Sequence, residues 1–114
     1  MAITEYKTGT ATISTTEYSL VTPGTTLAND TTTGVYQVFI DFSNMASGDE
    51  YDIKIKEKVI SGGSQQLIYS GQLEGVQSSP FVTPTLILMQ GWDVTVSRVS
   101  GTDRSISWSI RKVG

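Results

Sequence analysis

Tyr51-Asp52-Ile53-Lys54-Ile55-Lys56-Glu57-Lys58-Val59 alternates apolar and charged residues almost without a break. On an extended chain, successive side chains point to opposite faces. Tyr51, Ile53, Ile55 and Val59 therefore share one side, and Asp52, Lys54, Lys56 and Lys58 take the other. A helix would scatter both sets around its circumference. The stretch predicts a strand in an antiparallel sheet, with one face on a core and one in water.

Downstream, Ser61-Gly62-Gly63-Ser64 breaks the pattern and Gln66 to Leu73 resumes it. Opposed residues of an antiparallel pair share a face. Leu67 against Val59, Tyr69 against Glu57, Gly71 against Ile55 and Leu73 against Ile53 satisfy that rule. This register needs an odd loop, of about three or five residues, because a one-residue slip would turn the polar set onto the core. Near the C-terminus, Trp92, Val94 and Val96 alternate with polar residues, as do Ile106, Trp108 and Ile110. The same logic predicts a hairpin around Gly101 that pairs Val96 with Ile106, Val94 with Trp108 and Trp92 with Ile110.

Upstream, Tyr36, Val38, Ile40 and Phe42 mark a central strand. Gly75 to Pro84, interrupted by two prolines, reads as loop or edge, and Thr85 to Met89 as a strand buried on both faces. Twelve of the sixteen threonines precede Gly34, in weak strand patterns broken by Pro23-Gly24, a pair suited to the centre of a type II turn. Residues 1–34 are thus an extended arm or edge strands, with residues 1–8 favouring the arm and 10–22 the edge strands. Residues 35–114 are the core of a single domain. The fold class is all-β, an antiparallel β-sandwich or jelly-roll-like barrel of about six to eight short strands.

Composition narrows the chemistry. With 114 residues there is one core, and with no cysteine there is no disulfide, zinc-thiolate site or thiol nucleophile. Histidine is absent too, which removes the commonest metal ligand and neutral-pH base. A net charge of −3 argues against a nucleic-acid partner. No apolar run approaches the roughly 20 residues of a membrane helix, and the N-terminal residues lack a signal-peptide pattern.

Candidate groups remain. Asp49, Glu50 and Asp52 could hold calcium, but the Asp-x-Asp-x-Asp-Gly spacing is missing and a solvated acidic turn is favoured. Glu57 and Asp41 interrupt their strands without supplying a carboxylate pair of known separation, so no catalytic residue and no cofactor are expected. Trp92 and Trp108 share faces with aliphatic residues and belong to the core, whereas Tyr6, Tyr18 and Phe81 suit surface contacts. Lys54, Lys56 and Lys58 form a basic stripe that either meets an acidic partner or guards against edge aggregation. Arg98 and Arg104 would face each other across the last hairpin, with Asp103 or a partner's carboxylate neutralising them.

The run Gly48 to Val59 followed by Ser61-Gly62-Gly63 resembles small proteins encoded among the structural genes of tailed bacteriophages. So does Gly91 to Val96 continued through Gly101 to Ile106 and Trp108 to Arg111. The resemblance covers residues 35–114. It implies a non-enzymatic virion protein, a capsid decoration or cement protein on the outer capsid surface. Its partners would be the major capsid protein and neighbouring copies of itself, as a trimer or dimer. Lys54, Lys56, Lys58, Arg98, Arg104, Tyr6, Tyr18 and Phe81 are then the candidate interface residues. The rival readings are a carbohydrate-binding or adhesion module, and a tail or connector component.

Overall fold

A computed structural model describes residues 2–114. In chain order its strands are β1 (Ile3–Ile13), β2 (Tyr18–Ser19), β3 (Gly34–Asp41), β4 (Glu50–Lys58), β5 (Gln65–Glu74), β6 (Phe81–Val82), β7 (Leu86–Leu88), β8 (Asp93–Ser100) and β9 (Arg104–Val113). They form two antiparallel sheets, one ordered β1-β9-β3-β6 with β7 also on β3, the other β2-β8-β4-β5. The fold is the all-β sandwich that the alternation predicts, and no helix occurs among the described residues.

The core lies between the sheets. Val38 and Ile40 of β3 and Ile106, Trp108 and Ile110 of β9 meet Tyr51, Ile53 and Ile55 of β4 and Val94 and Val96 of β8, all buried. Each such side chain contributes roughly 1.5–3 kcal/mol through burial. At one end Tyr36, Trp92 and Tyr6 cluster, with ring centroids 4.6 Å apart for Tyr36–Trp92 and 5.5 Å for Tyr6–Tyr36. The carbonyl of Thr32 accepts the Tyr36 hydroxyl at 2.8 Å and the Trp92 indole N–H at 3.2 Å. The threonine-rich segment thus gives buried aromatics their hydrogen-bond partners.

Several expectations are corrected. Residues 3–8 are not a free arm. β1 pairs along its length with β9, from Ile3 opposite Val113 to Ile13 opposite Arg104, and a bulge between Glu5 and Lys7 turns Tyr6 inward. Pro23-Gly24 does not centre a type II turn, because Gly24 lacks the positive φ. Ser19 and Gly24 instead bridge each other across the intervening residues. The Thr85–Met89 stretch is an edge strand buried on one face, with Leu88 inside and Ile87 outside.

In the β4–β5 hairpin, Tyr69 opposes Ile55, Gly71 opposes Ile53 and Leu73 opposes Tyr51, two residues from the predicted register but on the predicted face. A bulge between Ile55 and Lys56 then sets Leu67 against Lys56 on the outer face, and Lys58 pairs with Gln65. The loop is consequently even, six residues from Val59 to Ser64, and Val59 is 72% exposed rather than in the core. The bulge supplies the residue that corrects the parity.

The predicted C-terminal hairpin does not exist. β8 lies in the second sheet on β4, and β9 lies in the first between β1 and β3. Their apolar faces look at each other across the core. Alternation is the same whether two strands pair side by side or face across a sandwich, so only the partner strands distinguish the two.

Gly9 of β1 sits over the Trp108 indole, where an added Cβ would lie 2.7 Å from Cζ2. Trp108 is only 4% exposed and cannot swing clear. Gly9→Ala should destabilise the domain by about 1–3 kcal/mol, the usual cost of overpacking. Thermal melting should show it as a loss of roughly 4–8 °C for each kcal/mol.

Candidate functional site

The outer face of the second sheet carries the residues that the alternation sets in water. Row by row, Lys54 lies between Thr95 and Ser70, Asp52 between Ser97 and Gln72, and Lys56 between Asp93 and Leu67. The segment before and through β2 folds over part of this face. Glu17 reaches Lys56 Nζ at 2.9 Å and accepts the Thr95 hydroxyl. Burial works against the Glu17 charge, but those partners outweigh it and hold the carboxyl below its ordinary range. The lysine stripe is therefore already neutralised at Lys56. Lys54 and Lys58 make no ion pair among the described residues.

Beneath Glu17 lies Asp93, fully buried. Burial pushes its carboxyl up, and donors from Ser19 Oγ at 2.6 Å, Ala28 N at 2.9 Å and Val94 N at 2.8 Å pull it back. A buried carboxylate with three donors ties β2 and the loop after it to β8; it is satisfied.

At the opposite end of β4 the charges are acidic. Glu50 opposes Glu74, with Asp52 one row away. Desolvation, then the neighbouring Glu74, pushes the Glu50 carboxyl up. The adjacent Asp49 is not a solvated turn residue, since its side chain is only 2% exposed, and its oxygens are taken by protein donors. Its Oδ1 accepts Thr102 N–H at 2.9 Å, and its Oδ2 accepts Ala46 N–H at 2.9 Å and Arg104 Nε–H at 2.7 Å. Gly101 passes over this carboxylate with φ of 90°, where a Cβ would meet Asp49 Oδ1 at 2.2 Å. Among the described residues no group of three acids could hold a metal ion.

Arg98 and Arg104, expected to face each other, sit in opposite sheets. Arg98 donates to Asp103 at 2.6 Å, and Arg104 is taken by Asp49. Asp41 and Glu57 likewise lie in different sheets. Asp41 accepts the backbone N–H of Ser43, and Glu57 those of Met89 and Gln90, so each carboxylate holds a turn.

The aromatics are spent inside. Trp92 and Trp108 are buried, as their alternation predicts. Tyr6, Tyr18 and Phe81, read as surface candidates, are half-buried against the core. Tyr6 donates to Asp30 at 2.8 Å, Tyr18 meets Trp108 edge-on at 5.8 Å, and the Phe81 ring lies over Gly71. On the outer face of the first sheet, Ile3, Val35, Phe39, Thr85, Arg111 and Val113 line a shallow pocket of about 220 Å³. The Arg111 guanidinium covers the Phe39 ring at 3.9 Å, so that ring face is not free to stack on a ligand.

The sequence reading missed the Asp49–Arg104 pair and the free edge of β5. The first had a trace in the Gly101 turn beside two arginines. The second had none, because a strand pattern does not say how many neighbours the strand has.

No family model and no curated protein matches this chain. Among solved structures it is similar to one described as PirA, at 13% identity and TM-score 0.49, covering 96% of this chain and 94% of that one. It is also similar to the C-terminal family 22 carbohydrate-binding module of Clostridium thermocellum Xyn10B, at 19% identity and TM-score 0.41, over 73% of this chain and 56% of that one. A xylan-binding domain of family 22 gives 18% identity and TM-score 0.42, over 85% of this chain and 64% of that one. These likenesses are distant, and no ligand or activity is carried over from them.

Arg104 and the two backbone donors bring the Asp49 carboxyl down from 3.8 to about 2. A depressed carboxyl stabilises the fold above its unfolded pKa and loses that contribution as pH falls through the folded one. Denaturant unfolding from pH 5 to pH 2 should show wild-type stability declining below about pH 4. Asp49→Asn should be less stable at pH 5, and its difference from wild type should shrink towards pH 2. A difference constant across this range would remove Asp49 from the acid response.

Proposed function

We propose that this chain is a non-enzymatic structural protein of a virion, a capsid decoration or cement protein that binds across neighbouring major capsid proteins. The observation that carries the reading is which apolar side chains reach water. Among the described residues none of the two tryptophans, five tyrosines and three phenylalanines is exposed, whereas eleven large aliphatic or methionine side chains are. Exposed aliphatics gain free energy by being covered with another protein surface. Sugar rings are held by open aromatic faces, and here every aromatic is packed against the core or beneath Arg111. The distribution favours protein contact over a carbohydrate-binding or adhesion module. The strand-and-turn resemblance of residues 35–114 supports a virion as the setting, with a capsid preferred to a tail or connector position.

The remaining polar surface suits such a role. Two sheets held by internal carboxylate anchors present a stiff wet face, and on a lattice individually weak contacts add through repetition. Lys54 and Lys58 are free to meet acidic side chains of the shell, while Lys56 is engaged by Glu17.

Purified protein should co-sediment with expanded capsids of the phage that encodes it and raise their melting temperature. Changing Lys54 and Lys58 to glutamine should weaken capsid binding about tenfold and flatten its salt dependence if the lysine face touches the shell. Unchanged binding would assign the opposite sheet to the contact. Failure to bind either capsids or major capsid protein, together with calorimetric binding of a glycan, would replace the proposal with the carbohydrate reading. Tryptophan fluorescence is a poor reporter of that alternative, because both indoles are buried.

A further inference from the structure

β5 hydrogen-bonds to β4 on one side only, and no backbone bond from another described segment reaches its other side between Gln65 and Leu73. The second sheet's other edge, β2, is two residues long. The first sheet's long edge, β1, is interrupted by the bulge at Tyr6 between the charged Glu5 and Lys7, a common protection against pairing. Tyr69 to Leu73 has no charge, no proline and no bulge within it. It is the unguarded part of the second sheet's long edge, beyond the bulge at Ile68.

We propose that this edge pairs antiparallel with the same edge of a second copy of the chain, joining two second sheets into one continuous sheet about a two-fold axis near Gly71. The residues are self-complementary in that arrangement. With Gly71 on the axis, Tyr69 faces Leu73 of the second copy on the inner side, and Ser70 faces Gln72 on the outer side, so apolar meets apolar and polar meets polar.

Charge selects the antiparallel sense and a like partner. The outer face of β4 and β5 is acidic at one end, with Glu50, Asp52 and Glu74, and basic towards the other, where Lys54 and Lys58 are unpaired among the described residues. A two-fold axis across the edge lays the acidic end of one copy beside the basic end of the other. Glu74 then stands roughly two strand spacings, about 10 Å, from the lysine-bearing strand of the second copy, within reach of long side chains. Within one copy Glu50 and Glu74 repel, and desolvation and that repulsion already push Glu50 up. The lysines of a second copy would relieve the repulsion. The pairing holds whether or not the protein binds a capsid.

Sedimentation velocity over a concentration series, with amide hydrogen exchange on the same samples, tests this. The expected result is a monomer–dimer equilibrium that weakens with added salt, with slowed exchange at Tyr69 to Leu73 in the dimer. Glu74→Lys and Lys54→Glu should each weaken dimerisation about tenfold, since each change occurs twice per dimer, and the double variant should recover most of the loss. Both positions lie on the wet face, and melting curves matching the wild type would show that the variants fold. A monomer up to millimolar concentration would overturn the proposal. So would a dimer indifferent to both reversals, or one whose protection falls on β1.

Discussion

The sandwich closes at a corner, and one carboxylate holds that corner. β8 ends in the second sheet and β9 begins in the first, so the chain between them must cross the full thickness of the core within the few residues around Gly101. Asp49, at the end of the β3–β4 connection, meets that crossing from the other side. Its two oxygens take Ala46, Thr102 and Arg104, while its carbonyl accepts the N–H of Gly75 beyond the end of β5. Two segments distant in sequence, the β8–β9 crossing and the turn after β5, thus converge on one residue of the β3–β4 connection. Without it these half-buried donors would lose the acceptor they share. Gly101 is tied to the same point, since no side chain fits between its backbone and the carboxylate.

Much of the fold was legible because β-sheet physics is local in one respect. Which face of a strand is apolar is written in alternate residues, so Tyr51, Ile53, Ile55, Val94, Val96, Ile106, Trp108 and Ile110 could all be assigned to the core. Which strands are neighbours is not local. Trp92–Val96 and Ile106–Ile110 have the same pattern as the arms of a hairpin, yet they belong to different sheets. Register failed for a related reason. The bulge at Ile68 leaves no mark in the hydrophobic pattern, and it alone separates an odd loop from the even one observed. The threonine-rich first third was hard to read because its contribution is polar. Thr32 and Asp30 supply acceptors to Tyr36, Trp92 and Tyr6, a task that hydropathy does not register.

The candidate site was legible to a smaller extent, for an electrostatic reason. Charged residues were correctly set on the wet side of β4, but their partners came from far along the chain. Glu17 engages Lys56, and Asp49 engages Arg104, across separations of 39 and 55 residues. Only Arg98 and Asp103 are near enough in sequence for their pairing to be anticipated. Once these pairs are drawn, the surface is less charged than composition suggests. What remains open on the outer face of the second sheet is an acidic end and two lysines, and elsewhere a set of exposed aliphatics. That pattern suits broad contact with protein surfaces better than a compact chemical site.

The pairing of β1 with β9 also sets how the molecule answers force. Ile3 lies opposite Val113, so the first and last residues of this strand pair leave the sheet side by side at the same end. Tension between them would load the ladder one hydrogen bond at a time, as a zipper opens, rather than shearing all of its bonds together. Load arriving through the sheet faces would instead be shared across the whole packed core. The domain is therefore stiff when gripped by its surfaces and compliant when pulled by its ends.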